Sequence, residues 1–235
     1  MKIIIGNWKM NGNAEMLDEM VSNLAAVNTE NRVILCVPAT LLRPGTGAVM
    51  IGAQNVSKYE SGAHTGDISA NLVSATGASV TLVGHSECRE AQHDTNADVA
   101  RRAELALNND IMPIICVGET ATERENGKIH EIIERGVRES IPHNATNGGF
   151  IIAYEPRWAI GTGITASGDE IANAHKIIRS ILNEMGFDET PVLYGGSVTA
   201  INSAEIMKID HVDGVLVGGA SLKKDDFIPI ITSIK

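Results

Sequence analysis

The segments IMPIICVG (111–118), ATERENGKIHEIIERGVRES (121–140) and GFIIAYE (149–155) decide the fold. The two outer runs are short, β-branched and without polar alternation, the pattern of parallel strands covered on both faces. The middle segment repeats apolar residues three and four apart, which gives a helix one buried stripe. Parallel strands need a crossover of about a dozen residues, and a helix supplies it.

The same unit recurs along the chain. Further strand-like runs are KIIIG (2–6), RVILCV (32–37), AVMIGA (48–53), SVTLVG (79–84), PVLYGG (191–196) and DGVLVGG (213–219). Further helical stretches lie at 14–27, 96–109, 168–186, 203–210 and 225–234. Eight strand-then-helix units predict a (β/α)8 barrel, with a doubly wound open sheet as the competing arrangement. One unit is deficient. Only ATLLRPGTG (39–47), broken by Pro44-Gly45, separates the second and third strands, so a shortened second helix of at most one turn is expected there. No linker or low-complexity run divides the chain, and residues 1–235 are expected to form a single domain.

Composition narrows the function. With 19 basic and 29 acidic residues the net charge is −10, which disfavours nucleic-acid binding. An anionic substrate would therefore need a local positive site, since the overall field repels it. Cys36, Cys88 and Cys116 fit neither a disulfide framework nor a metal spacing. No apolar run approaches the roughly 20 residues of a membrane span, so no membrane partner and a cytoplasmic location are expected.

In such barrels the chemistry gathers at the C-terminal strand ends. Those ends carry Asn7 and Lys9 after the first strand, His85 and Glu87 after the fourth, and Glu155 after the sixth. Glycine-rich turns, YGGSV (194–198) and LVGGASL (216–222), follow the last two strands and are read as opening helices. One such turn is ordinarily just a tight turn. Two together, on the last two strands, point to an anion cradle made of backbone N–H groups.

Read together, GNWKMNG (6–12), VGHSECRE (83–90), AYEPRWAIGTG (153–163), YGGSV and LVGGASL resemble the signature segments of the triosephosphate isomerase family. They stand in the family's order and spacing, with AQN (53–55) and GAHTGDIS (62–69) matching less strictly. The resemblance covers nearly the whole chain and implies a TIM barrel. It also implies interconversion of dihydroxyacetone phosphate and D-glyceraldehyde 3-phosphate through an enediolate, in glycolysis and gluconeogenesis. No cofactor and no metal are implied.

The resemblance makes Glu155 the base and His85, as neutral imidazole, the donor to the developing oxyanion; this family is itself the standard example of that tuning. Lys9 would supply fixed positive charge and Asn7 a further contact, with Glu87 and Ser86 supporting them from behind. Phosphate contacts fall at Gly161, Ser197, Gly218 and Gly219, and WAIGTG (158–163) becomes a lid hinged at Pro156 to Trp158. The loop 62–69 would place Thr65 and Gly66 against a second copy, giving a homodimer.

Several positions depart from the family. Arg157 replaces a small apolar hinge residue, and His64 an aromatic in the dimer loop. Cys88 and Asp94 stand where an arginine and a glutamate are usual, so the supporting ion pair between those positions is expected to be absent. Two other readings compete. Another phosphate-binding barrel isomerase should lack the lysine–histidine–glutamate set, and a catalytically silent binding barrel should have lost one member of it.

Overall fold

The computed structural model describes residues 1–160 and 165–234. Its strands are β1 (Ile3–Asn7), β2 (Arg32–Cys36), β3 (Met50–Ala53), β4 (Val80–Val83), β5 (Met112–Val117), β6 (Ile151–Tyr154), β7 (Val192–Tyr194) and β8 (Gly214–Val217). Seven fall within the apolar runs, and β1 extends one residue past its run to Asn7. They are parallel and close into a barrel in chain order. The seam is β8 on β1, where Ile3 to Gly6 pair with Gly214 to Val217. That closure removes the open-sheet alternative.

Alternating side chains serve two cores, as the pleat of a strand requires. Ile5, Ile34, Leu82, Ile114 and Leu193 fill the barrel interior. Their strand neighbours Ile4, Leu35, Val83, Ile115 and Val192 pack outward under the helices. Both faces are apolar, so no polar alternation appears in the sequence. Each fully buried Ile, Leu or Val contributes about 1.5–3 kcal/mol.

The helices are α1 (Ala14–Ala25), α2 (Ala70–Ser74), α3 (Ser86–Gln92), α4 (Asn96–Leu107), α5 (Ala121–Glu125), α6 (Ile129–Ser140), α7 (Gly168–Glu184), α8 (Ser203–Ile206) and α9 (Lys224–Thr232). The single helix expected over 121–140 is corrected to two. A capping box of Thr120 and Glu123 starts α5. Gly127, with φ of 70°, then turns the chain in the left-handed region before α6 begins.

The short second crossover contains one 3₁₀ turn, Ala39–Leu41, in keeping with the expected single turn. Leu41 and Leu42 pack on the outer core in place of a full helix, and Val33 and Leu35 of β2 stay buried. The short crossover therefore still covers the outer face of β2.

Candidate active site

Asn7, Lys9, His85 and Glu155 line one cavity of about 430 Å³ at the C-terminal rim of the barrel. Each reaches it from a strand end. Asn7 closes β1 and accepts the Lys9 N–H at 3.0 Å. Lys9 has a φ of 52°, a left-handed conformation costing about 1–2 kcal/mol that re-aims its side chain. Gln54 steadies it by donating to the Lys9 carbonyl at 2.8 Å. Its Nζ stands 2.5 Å from Oε1 of Glu87, which therefore sits behind the ammonium.

His85 is the N-cap of α3. Its Nδ1 accepts the backbone N–H of Glu87 at 3.2 Å, so the ring proton resides on Nε2. Nε2 lies 3.1 Å from Oε1 of Glu155. The other oxygen of Glu155 accepts the Ser86 N–H at 2.9 Å. Glu155 is 2% exposed, yet both its oxygens are hydrogen-bonded. The tautomer is thus set by the first turn of α3, and Ser86 acts through its backbone.

Opposite this group lie the two glycine turns. Gly195, Gly196, Ser197, Gly218 and Gly219 line the same cavity. Two expectations need correction. The β7 turn opens no helix, because α8 begins only at Ser203 and is one turn long. The β8 turn opens a 3₁₀ turn, Gly219–Leu222, and α9 follows at Lys224. The positive character of the cradle comes from individual N–H groups, with little help from a helix dipole. Gly161 lies outside the described residues, and so do 162–164 of the expected lid.

Sequence reading missed a buried carboxylate below the hinge. Glu119, fully buried after β5, accepts from the Tyr154 hydroxyl at 3.0 Å and Trp158 Nε1 at 2.9 Å. Burial, then the charge of Glu119, raises the Tyr154 pKa and keeps that hydroxyl a donor. Arg124 stacks on the Trp158 ring at 4.7 Å. Glu119 follows an apolar run just as Glu155 does, so the strand-end rule could have found it. Gly118 beside it is another omission. A β-carbon there would stand 1.7 Å from the Glu155 carbonyl oxygen.

Asp94 has a partner after all. Arg102 of α4 reaches it at 2.9 Å, with both side chains buried, in place of the ion pair that Cys88 removes. Burial pushes the Cys36 thiol up to about 12 and raises Cys116 well above the usual range; burial also raises Cys88. None is a ready thiolate.

A closed parallel barrel with a carboxylate, an imidazole and an ammonium facing a glycine cradle defines an acid–base enzyme of the (β/α)8 class. Residues 2–234 match the family model described as triosephosphate isomerase. The triosephosphate isomerase of Mesorhizobium japonicum is 43% identical over 240 residues, covering 97% of this chain and 94% of the relative. That of Hyphomonas neptunium is 42% identical over 239 residues, covering 97% and 96%. The crystal structure of triosephosphate isomerase from Bartonella henselae superposes with a TM-score of 0.92 at 36% identity, covering 99% and 98% of the two chains. The chain belongs to the triosephosphate isomerase family.

Proposed function

We propose that Glu155, His85, Lys9 and Asn7 carry out the interconversion of dihydroxyacetone phosphate and D-glyceraldehyde 3-phosphate that the family performs in glycolysis, and in reverse in gluconeogenesis. The observation that carries this reading is their convergence on one cavity with the glycine cradle opposite. Glu155 takes a proton from the hydroxyl-bearing carbon beside the carbonyl. The carbonyl oxygen becomes an enediolate oxygen, met by Nε2–H of His85 and by Lys9. Glu155 then returns its proton to the former carbonyl carbon while the hydroxyl proton moves to the neighbouring oxygen, so that aldehyde replaces ketone.

The geometry adds one requirement. His85 has a single ring proton, and it faces Glu155 Oε1 at 3.1 Å. The substrate oxygen must take over that hydrogen bond, and doing so frees a carboxylate oxygen to act as base. Binding and activation are thereby linked. The phosphate sits among Ser197, Gly218 and Gly219, with Gly161 assigned to the same group by the family resemblance. A coupled assay following the two triose phosphates, without metal or added cofactor, tests the reading. Absence of turnover overturns it.

The working unit is a homodimer of single-domain chains in the cytoplasm. Residues 59–68 are exposed throughout, together with Met10 and Leu72, which leaves apolar surface for a second copy. His64 stacks on Tyr59 at 3.7 Å and so keeps an aromatic contact inside the loop. Sedimentation equilibrium giving the mass of one chain at micromolar concentration would exclude the dimer. No helix among the described residues is long and apolar enough to cross a membrane.

A further inference from the structure

We infer that Arg157 and Glu90 form a positioning tether that holds the hinge, and with it the Glu155 carboxylate, in a resting register on helix α3. The inference rests on the assignment of Glu155 as the base. Arg157 departs from the small apolar residue of the family pattern, so the tether belongs to this chain rather than to the general mechanism.

The hinge meets α3 at two successive rungs. Glu155 accepts from Ser86 N at 2.9 Å, and Arg157 reaches Oε1 of Glu90 at 3.2 Å. Ser86 and Glu90 are four residues apart on the helix, about 6 Å along its axis and on one face. Between the two hinge residues lies Pro156, whose ring fixes φ and stiffens the link. A shift of Arg157 along α3 is therefore passed to Glu155 with little slack.

Glu90 is the counter-charge that keeps Arg157 there. The cavity beside the hinge is lined by three arginines, Arg89, Arg135 and Arg157, and three acids. Each acid is engaged elsewhere: Asp94 with Arg102, Glu123 with Thr120, and Glu139 with Asn96. Burial lowers the Arg89 pKa, and the charge of Arg157 adds to that effect, so the two guanidiniums repel. Without Glu90, the Arg157 guanidinium is pushed off α3, and the hinge there is left to the Arg157 N–H, which donates to the Glu119 carbonyl at 3.0 Å.

In this register both oxygens of Glu155 are occupied, so the register opposes catalysis until substrate displaces it. Weakening the tether raises the fraction of molecules ready to engage substrate, and apparent affinity rises in proportion. Glu90 is largely exposed, so the effect is modest, about two- to five-fold.

The test is a double-mutant cycle on the intact enzyme with Glu90→Gln, Arg157→Met and the pair combined. At low salt each single substitution lowers KM for D-glyceraldehyde 3-phosphate about two- to five-fold, and the double variant goes no further. Salt near 0.5 M narrows the difference from wild type, because screening then reaches the tether. Unchanged or raised KM, or additive effects, overturns the inference; a fall in melting temperature alone marks a surface ion pair with no part in positioning. Wild-type turnover in the same assay reports separately on Glu155.

Discussion

Nε2 of His85 lies 3.1 Å from Oε1 of Glu155, and with Nδ1 occupied by the Glu87 N–H the ring has one proton to give. The proton proposed to polarise the substrate is therefore already in place, held by the carboxylate proposed as base. Glu155→Gln preserves shape but removes the proposed base, and kcat should fall by about 10²–10⁴-fold. Glu155→Asp retracts the carboxylate by roughly 1 Å and should cost about 10²-fold. Steady-state kinetics decide both, and full activity in Glu155→Gln would refute the assignment.

Gly118 makes a second, purely geometric prediction. Glu155 N–H donates to the Val117 carbonyl at 2.8 Å, so the ends of β5 and β6 are locked side by side. A β-carbon on residue 118 would fall 1.7 Å from the Glu155 carbonyl oxygen, and one backbone must give way. A displacement near 1 Å at the base costs about 10²-fold. Gly118→Ala should therefore lose about that much in kcat/KM while keeping native far-ultraviolet circular dichroism. Wild-type rates would show that the strand ends yield more easily than the contact suggests.

The strand ends were legible for the same reason that the barrel was. Parallel strands buried on both faces leave unbroken apolar runs, and whatever polar residue follows stands out. Lys9, His85 and Glu155 were visible in that way. Glu119 stands out equally, but its role depends on Trp158, 39 residues later, and only the fold brings the two together. The break between α5 and α6 went unread because the spacing of Ile129, Ile133 and Val137 was extended back over residues 122–128, which carry no apolar side chain. Arg102 reads as one more charge on a helix; its burial against Asp94 is a tertiary fact.

Glu119 carries a third prediction. Its carboxylate takes two donors from Tyr154 and Trp158, and Arg124 adds a contact at 3.5 Å. Glutamine in its place keeps one acceptor oxygen and turns an N–H2 toward the Tyr154 hydroxyl, which can accept only one of its two N–H groups. Leaving a buried donor unmet costs about 1–3 kcal/mol. Urea denaturation of Glu119→Gln should show that loss, with tryptophan emission shifted as the Trp158 N–H gives up its charged acceptor. A variant of wild-type stability would mean that the hinge is anchored elsewhere.

The last prediction concerns acid. His175 in α7 is fully buried, its Nδ1 3.0 Å from the His211 carbonyl, its Nε2 without a hydrogen-bond partner among the described residues. Burial lowers its pKa from 6.5 to about 4, only partly offset by the His211 hydrogen bond. Between those two values the unfolded chain binds a proton that the folded chain refuses, so stability rises with pH across that window. Above pH 6.5 nothing is lost; below it the folded state weakens, by about 3 kcal/mol once pH 4 is reached. Asp98, held down to about 2 first by its hydrogen bond to Lys58, loses its stabilising charge only below its ordinary value of 3.8. The two effects therefore separate on the pH axis. His175→Gln keeps a donor for the His211 carbonyl but cannot titrate, so between pH 6.5 and 5, above the range where Glu170 and Asp98 begin to lose their charge, its unfolding free energy should fall less than that of wild type. Parallel declines in the two proteins would remove His175 as the cause.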